Sequence, residues 1–366
     1  MDKLKKVLII ANNGMGNSGV PNVIAQVIES QQHYCKFSIV VFNDDDYYYP
    51  FLKEHNVGII KMKEVTPKNI ILKLFWYFFR RPRYFYKKTK MLLKNRKYDA
   101  IHSFKEEEGW PFLKAAWKAG VQTRITHCNN EFKKRNSFLS NYLANWNLRK
   151  MNKYANVFVG VCKMCCETMF PKKPYQVIYN SYNEQKYNLK VDNKLKNELV
   201  LTQVATFSNR KNQLFTIEVI NSLKEIGINC KTKLVGFPIQ ESYYLDMLSL
   251  IDKYKLSDCI EIIDGRNGIG DIFEKTTFLL LPSISEAAPI VLVEAQACGI
   301  MCFASNTITN EMNCGGVNYL PINEGPTIWA QEIKKQFENK CNNRNRFDLQ
   351  RFSKTEFQKK ISELYC

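Results

Sequence analysis

The stretch from Phe278 to Gly299, FLLLPSISEAAPIVLVEAQACG, restricts the possible folds more than any other part of the chain. Phe278-Leu279-Leu280-Leu281 is a short apolar run without polar alternation, as expected of a parallel strand covered on both faces, and Pro282 stops it. Pro289 suits a first helical position, Ser285 or Glu286 can cap, and Gly299 closes the helix. A ligand at such a junction meets a strand's carboxyl end and a helix N-terminus together, where free N–H groups and the helix dipole favour phosphate. Carboxylates do not bind phosphate, so Glu286 and Glu294 would serve uncharged parts of the same molecule by accepting hydrogen bonds from sugar hydroxyls. Eight residues of helical rise, about 12 Å, would let them hold two separate points of one extended ligand. On spacing alone, a solvated Glu286 and a helix-surface Glu294 remain the more common arrangement.

With 366 residues the chain exceeds what one ordinary core supports, and strands alternate with helical runs in two successive blocks. In the first, residues 6–11 form a strand, and Gly14-Met15-Gly16-Asn17-Ser18-Gly19 leads into a helix from about Pro21 to Glu29. A G-x-G-x-x-G between strand and helix permits close approach of a pyrophosphate, and Asp44 after the second strand would complete a dinucleotide site. Taken alone this motif points to a nicotinamide-dependent oxidoreductase, although such loops serve other phosphate ligands too. Asp44-Asp45-Asp46 also fits a D-x-D metal pattern, though acid clusters after strands are usually solvated turns. His102 and His127 fall at strand ends, on the sheet edge where open α/β folds place ligands. After strands at 156–161 and 176–179, the polar stretch 184–198 marks the boundary. The domains expected are 1–183, 184–345 and a final helix at 346–366 that crosses back to the first, the two sheets facing across a cleft.

Charge is uneven. Residues 1–180 carry 31 basic against 13 acidic residues, and the remainder carries 22 of each, so the first half holds the whole net charge of +18. Residues 68–97 hold 11 basic residues and no acid, interleaved with Phe75-Trp76-Tyr77-Phe78-Phe79 and Tyr84-Phe85-Tyr86, a composition suited to an anionic membrane surface rather than to nucleic acid. No apolar run reaches the roughly 18 residues of a membrane span, and the N-terminus runs straight into a strand, which implies a cytoplasmic protein on the inner membrane face. The 12 cysteines are scattered and read as reduced core thiols; Cys162, Cys165 and Cys166 form a CxxCC without a second metal-spaced pair.

The residues PSISEAAPIVLVEAQACG, together with the continuation FASNTITNEMNCGGVNYLPINEGPTIWAQEI, resemble the retaining glycosyltransferases of the GT-B fold in family four, particularly their capsular and extracellular polysaccharide branch. The family's E-x7-E is Glu286 to Glu294 here. The resemblance implies two Rossmann-like domains and transfer of a sugar from a nucleotide-sugar donor, of the UDP-sugar kind, to a lipid-linked or polysaccharide acceptor, with no cofactor or metal required. It implies Glu286 on the donor sugar, Glu294 on the ribose, and Ala287, Ala288, Pro289 and Ile290 facing sugar and diphosphate. Lys211 matches the family lysine on the diphosphate, and Arg266 and Asn267 fall where the base is approached. His127 matches a histidine near the reacting sugar, and Gly16 and Gly19 close over phosphates or acceptor. The chain departs from the pattern at Thr206, where the family has an arginine that Arg210 would replace, and at Pro21, Ser181 and Ala287. These departures also admit an inactive, donor-binding partner.

Overall fold

The computed structural model describes residues 4–63, 67–69, 75–133, 137–187, 198–265, 270–339 and 346–365. The chain divides into two compact units, one of residues 1–180 with the segment from Thr355 onward, the other Ser181–Lys354.

In the first unit, seven strands form one parallel sheet: β1 (Lys5–Ile10), β2 (Cys35–Val41), β3 (Gly58–Lys61), β4 (Ala100–Ser103), β5 (Thr123–Cys128), β6 (Val157–Gly160) and β7 (Gln176–Val177). Their spatial order is β3-β2-β1-β4-β5-β6-β7. The central strands are apolar on both faces because helices cover both, and Val7, Ile9, Ile39, Ile125 and Val159 are fully buried. Phe357, Ile361, Leu364 and Tyr365 of the last helix, Lys354–Tyr365, belong to the same core.

The second unit holds β8 (Leu199–Val204), β9 (Cys230–Gly236), β10 (Ile260–Asp264), β11 (Phe278–Leu281), β12 (Met301–Ser305) and β13 (Val317–Leu320), parallel in the order β10-β9-β8-β11-β12-β13. The opening strand is therefore central, and all four of its residues are buried. Phe278 meets Phe303 edge to face at 5.3 Å, and the fully buried Trp329 donates its indole N–H to Pro321 O at 2.9 Å.

Strand order reverses between β1 and β4 in one sheet and between β8 and β11 in the other. At such switch points the loops leaving the two strands diverge to opposite faces and leave a crevice at their carboxyl ends. The loops that leave β8 and β11 carry Lys211 and Glu286.

One local expectation needs correction. Pro289 is the N-cap itself rather than the first helical residue, the helix runs Ile290–Ala297, and neither Ser285 nor Glu286 caps it. Gly299 does close it, at φ +72°, a left-handed geometry that costs glycine little. The glycine loop lies between β1 and the helix Gly19–Gln31; its own protein fills the space beside Gly14 and Gly16, while the space beside Gly19 is open. A Cβ at Gly16 would lie 1.8 Å from Asp45 Oδ2, so glycine is needed there by the loop after β2.

Much of the basic segment is helical, a π-helical turn Trp76–Arg80 followed by the α-helix Arg81–Asn95. Phe85 and Leu93 point into the core, while Phe75, Tyr77, Phe79 and Met91 are exposed. Phe138, Leu139 and Tyr142, on the helix Phe138–Tyr154, are exposed as well; the charge count gave no reason to single them out. Among the described residues no helix is long and apolar enough to cross a membrane.

Candidate active site

The crevice between β8 and β11 is built by two loops tied to each other through their backbones. After β8, Lys211 N–H and Asn212 N–H both bond Ser208 O, closing a tight turn that ends with Asn212 at φ +58°. The Asn212 amide then donates to Pro282 O at 3.2 Å, and Ile284 N–H donates to Arg210 O at 2.9 Å. From beneath, the buried Gln203 donates to Lys211 O at 2.8 Å and accepts from Thr216 Oγ1 at 2.7 Å. On the other flank Thr307 Oγ1 donates to Ile284 O at 2.9 Å. These bonds hold residues 70 and 74 positions apart in sequence side by side.

Glu286 is at the centre, with 6% of its surface exposed. Its Oε1 accepts from Ser283 Oγ at 2.9 Å and from the Lys211 ammonium, and Oε2 faces the Arg210 guanidinium at 3.3 Å. Arg210 also donates to Ser285 O at 3.3 Å. A buried carboxylate is tolerable only when paired and hydrogen-bonded, and here two cations and a hydroxyl do this. Burial pulls the Lys211 pKa below its ordinary value more than Glu286 raises it, and the neighbouring Arg210 lowers it further. Lys211 thus sits in a desolvated place beside a second, half-exposed cation, an arrangement that a polyanion would relieve. Thr206 contributes only its carbonyl to this frame, accepting from Gln213 at 3.1 Å.

Glu294 follows two helical turns later. Its carboxyl is pushed up to about 7 by burial, against the opposing effects of the Tyr187 hydroxyl, which donates to it, and of Lys186. The helix that carries it is anchored by Gln296, whose Oε1 accepts from Cys314 N–H at 2.7 Å and Gly316 N–H at 3.1 Å. Ala287, Ala288 and Pro289 form the connection between Glu286 and this helix, and Ile290 is its first residue, with no side chain capping it. Arg266 and Asn267 lie outside the described residues.

In the first unit His127, the last residue but one of β5, is fully buried beside the equally buried His102 of β4. Burial lowers both, His127 to about 3 and His102 well below its ordinary value, so both rings are neutral. Glu106, after β4, adopts a left-handed φ of +48°, is pushed up to about 7 mainly by burial, and accepts from Asn130 at 2.8 Å. Gly16 and Gly19 belong to this unit too. Asp44, placed above as a ribose acid or metal ligand, is exposed and paired with Lys63 at 2.6 Å and Lys61 at 3.0 Å. Among the described residues no group of three or more His, Cys, Asp or Glu side chains could hold a metal ion.

Ser283, Tyr187, Gln203 and Glu106 were not singled out from the sequence. Ser283 stands three residues before Glu286 in the same motif and was legible in principle. The other three carry no motif and become significant only through the loops they join.

A family description, Glycosyl transferases group 1, matches residues 185–349. The chain is 28% identical over 275 residues to the capsular polysaccharide biosynthesis glycosyltransferase CapH of Staphylococcus aureus, covering 70% of this chain and 75% of CapH. It is 24% identical over 253 residues to the UDP-Gal:alpha-D-GlcNAc-diphosphoundecaprenol alpha-1,3-galactosyltransferase of Escherichia coli, covering 61% of each protein. Its fold is similar to that of Anabaena HepE, solved in complex with UDP, at a TM-score of 0.76 and 14% identity, with 98% of this chain and 99% of HepE covered. The crevice of the second unit thus lies inside a glycosyl transferases group 1 domain, and the chain is a glycosyltransferase built on the GT-B fold.

Proposed function

We propose that the chain transfers a sugar from a UDP-sugar to a lipid-linked saccharide, with retention at the anomeric carbon, in the synthesis of a surface polysaccharide. The observation that carries this reading is the buried Glu286 held between Lys211, Arg210 and Ser283 at the β8/β11 switch point. Support for the donor comes from the UDP bound to the structurally similar HepE, and for acceptor and pathway from the names of the E. coli and S. aureus relatives.

In this reading the donor's diphosphate meets the Lys211 ammonium, the Arg210 guanidinium and the backbone from Ala287 to Ile290. Arg210 replaces the cation missing at Thr206. The bond from the anomeric carbon to the β-phosphate oxygen breaks, and the two cations stabilise the charge that appears on that oxygen. The acceptor hydroxyl bonds to the anomeric carbon on the same face, and its proton leaves on the departing phosphate. Glu286 holds donor-sugar hydroxyls and keeps Lys211 in place, while Glu294 holds the ribose. The cations are side chains, so the scheme calls for no cofactor. Within the first unit, His127 and the loop at Gly16 and Gly19 are assigned to sugar and acceptor, although the Asp45 carboxylate against Gly16 is unfavourable for phosphate there.

Incubating the protein with a panel of nucleotide sugars and membrane lipid extract, read by mass spectrometry, tests the assignment. Release of one nucleoside diphosphate with a matching mass gain on a lipid-linked saccharide is expected. Donor binding without transfer or hydrolysis would instead identify an inactive donor-binding partner.

The exposed Phe75, Tyr77 and Phe79 beside Arg80, Arg83 and Lys87 are proposed to rest on the anionic inner face of the membrane. The protein is expected to float with phosphatidylglycerol-rich vesicles and not with pure phosphatidylcholine. Because each phenyl ring contributes about 1.5–3 kcal/mol on burial, Phe75→Ser with Phe79→Ser should weaken partition by roughly 100-fold or more. Equal binding to both vesicle types would remove the electrostatic part of this assignment.

A further inference from the structure

The two buried histidines of the first unit form a chain with a tyrosine of the last helix. Tyr365 Oη lies 2.6 Å from His102 Nδ1, and His102 Nε2 lies 3.2 Å from His127 Nδ1. Phe104 stacks on both imidazoles, at 4.4 Å from His102 and 4.8 Å from His127, and fixes their planes. All four side chains are buried, and His127 Nε2, at the far end, has no hydrogen-bond partner among the described residues.

Proton counting orients the chain. A neutral phenol has one proton, and among the described residues the Tyr365 hydroxyl bonds only His102 Nδ1. If Tyr365 donates, His102 carries its proton on Nε2 and donates to His127 Nδ1, and His127 must carry its own proton on Nε2. The His127 Nε2–H and the accepting side of the Tyr365 oxygen then lack partners. In the reverse direction the buried Tyr365 O–H and the His127 Nε2 lone pair are both unsatisfied. Each direction leaves one donor and one acceptor unpaired, and the first is favoured because it pairs the phenol O–H, the stronger donor, with an imidazole nitrogen, the stronger acceptor, and leaves over only the weakly accepting phenol oxygen and one N–H.

We propose that Tyr365 and His102 are positioning residues that lock His127 as the Nε2–H tautomer, giving the first unit a fixed, neutral donor aimed at an oxygen acceptor on the ligand. His127 in that state binds a sugar hydroxyl oxygen or a phosphoryl oxygen and cannot take a proton from an attacking hydroxyl. The identity of the ligand rests on the function proposed above; the tautomer does not.

The test is long-range proton–nitrogen correlation spectroscopy on the ligand-free full chain carrying nitrogen-15 histidine. The chain has four histidines, and His102→Gln and His127→Gln variants supply the assignments. Expected are spectra in which both buried rings are protonated on Nε2 and bare on Nδ1. In Tyr365→Phe the phenol's preference for donating is gone and each direction leaves one imidazole N–H and one imidazole nitrogen unpaired, so both rings should shift to a mixture with roughly half Nδ1–H. A wild-type His127 protonated on Nδ1 overturns the proposal, as does a folded Tyr365→Phe protein whose two rings are unchanged. Should that variant not fold, the wild-type spectrum alone decides. Because no substrate is present, failure here is separate from failure of the donor panel.

Discussion

Replacing Glu286 by alanine is expected to lower sugar transfer by about 10²–10³-fold, the usual cost of removing one preorganised electrostatic partner from a reacting centre. The same change should destabilise the second unit. It strips the carboxylate from Lys211, which is mostly buried, and breaking such a pair from one side costs about 3–5 kcal/mol. These two losses are separable. Adding Lys211→Met to Glu286→Ala removes the stranded cation, so the double variant should recover much of the stability and none of the transfer. Unfolding curves on the three proteins, with donor turnover measured in parallel, check both halves. A Glu286→Ala protein that turns over donor like the parent would displace the site from this crevice.

The second large effect is a pH dependence carried by Glu294. Burial raises its carboxyl from the ordinary 4.5 to about 7, so between those values the folded state binds more protons than the unfolded one. Stability must therefore fall as pH rises through that window, by up to about 3 kcal/mol at its upper end. Glu294→Gln keeps an acceptor for the Tyr187 hydroxyl and carries no charge. It should unfold like the wild type near pH 4.5 and be more stable by about 3 kcal/mol at pH 8. Glu106, in the other unit, is also raised to about 7 and titrates in the same range, so the difference between the two proteins isolates Glu294. If Glu294 holds the ribose, the variant should also bind donor roughly 10-fold more weakly, about 1.4 kcal/mol for the lost charge-assisted hydrogen bonds. Identical pH profiles for the two proteins would show that Glu294 does not titrate in that window.

The fold was largely legible because parallel strands buried on both faces have an unmistakable composition. Leu199-Val200-Leu201 and FLLL are short apolar runs, and each lies in a central strand of the second sheet. Part of the site was legible for a related reason, since Glu286 and Lys211 lie in loops that directly follow such strands. The turn Ser208–Asn212 and its bonds to Pro282 and Ile284 were not, because no residue pattern encodes which loops will meet. The glycine motif is ambiguous for a different reason. Gly16 is demanded by Asp45, a neighbour from the loop after β2, and a glycine needed for internal packing looks the same in sequence as one needed for a ligand. Glu106 and Tyr365 were invisible because burial, not motif, gives them their properties.

The most direct test of the central assignment is calorimetric titration of the full chain with a set of nucleoside diphosphates, uridine diphosphate first, alongside NAD. One saturable site for a nucleoside diphosphate is expected, weakened at least about 10-fold in Lys211→Met, where one charge-assisted phosphate contact is gone. Saturable binding of NAD with none of any nucleoside diphosphate, or diphosphate binding that Lys211→Met leaves unchanged, would contradict it.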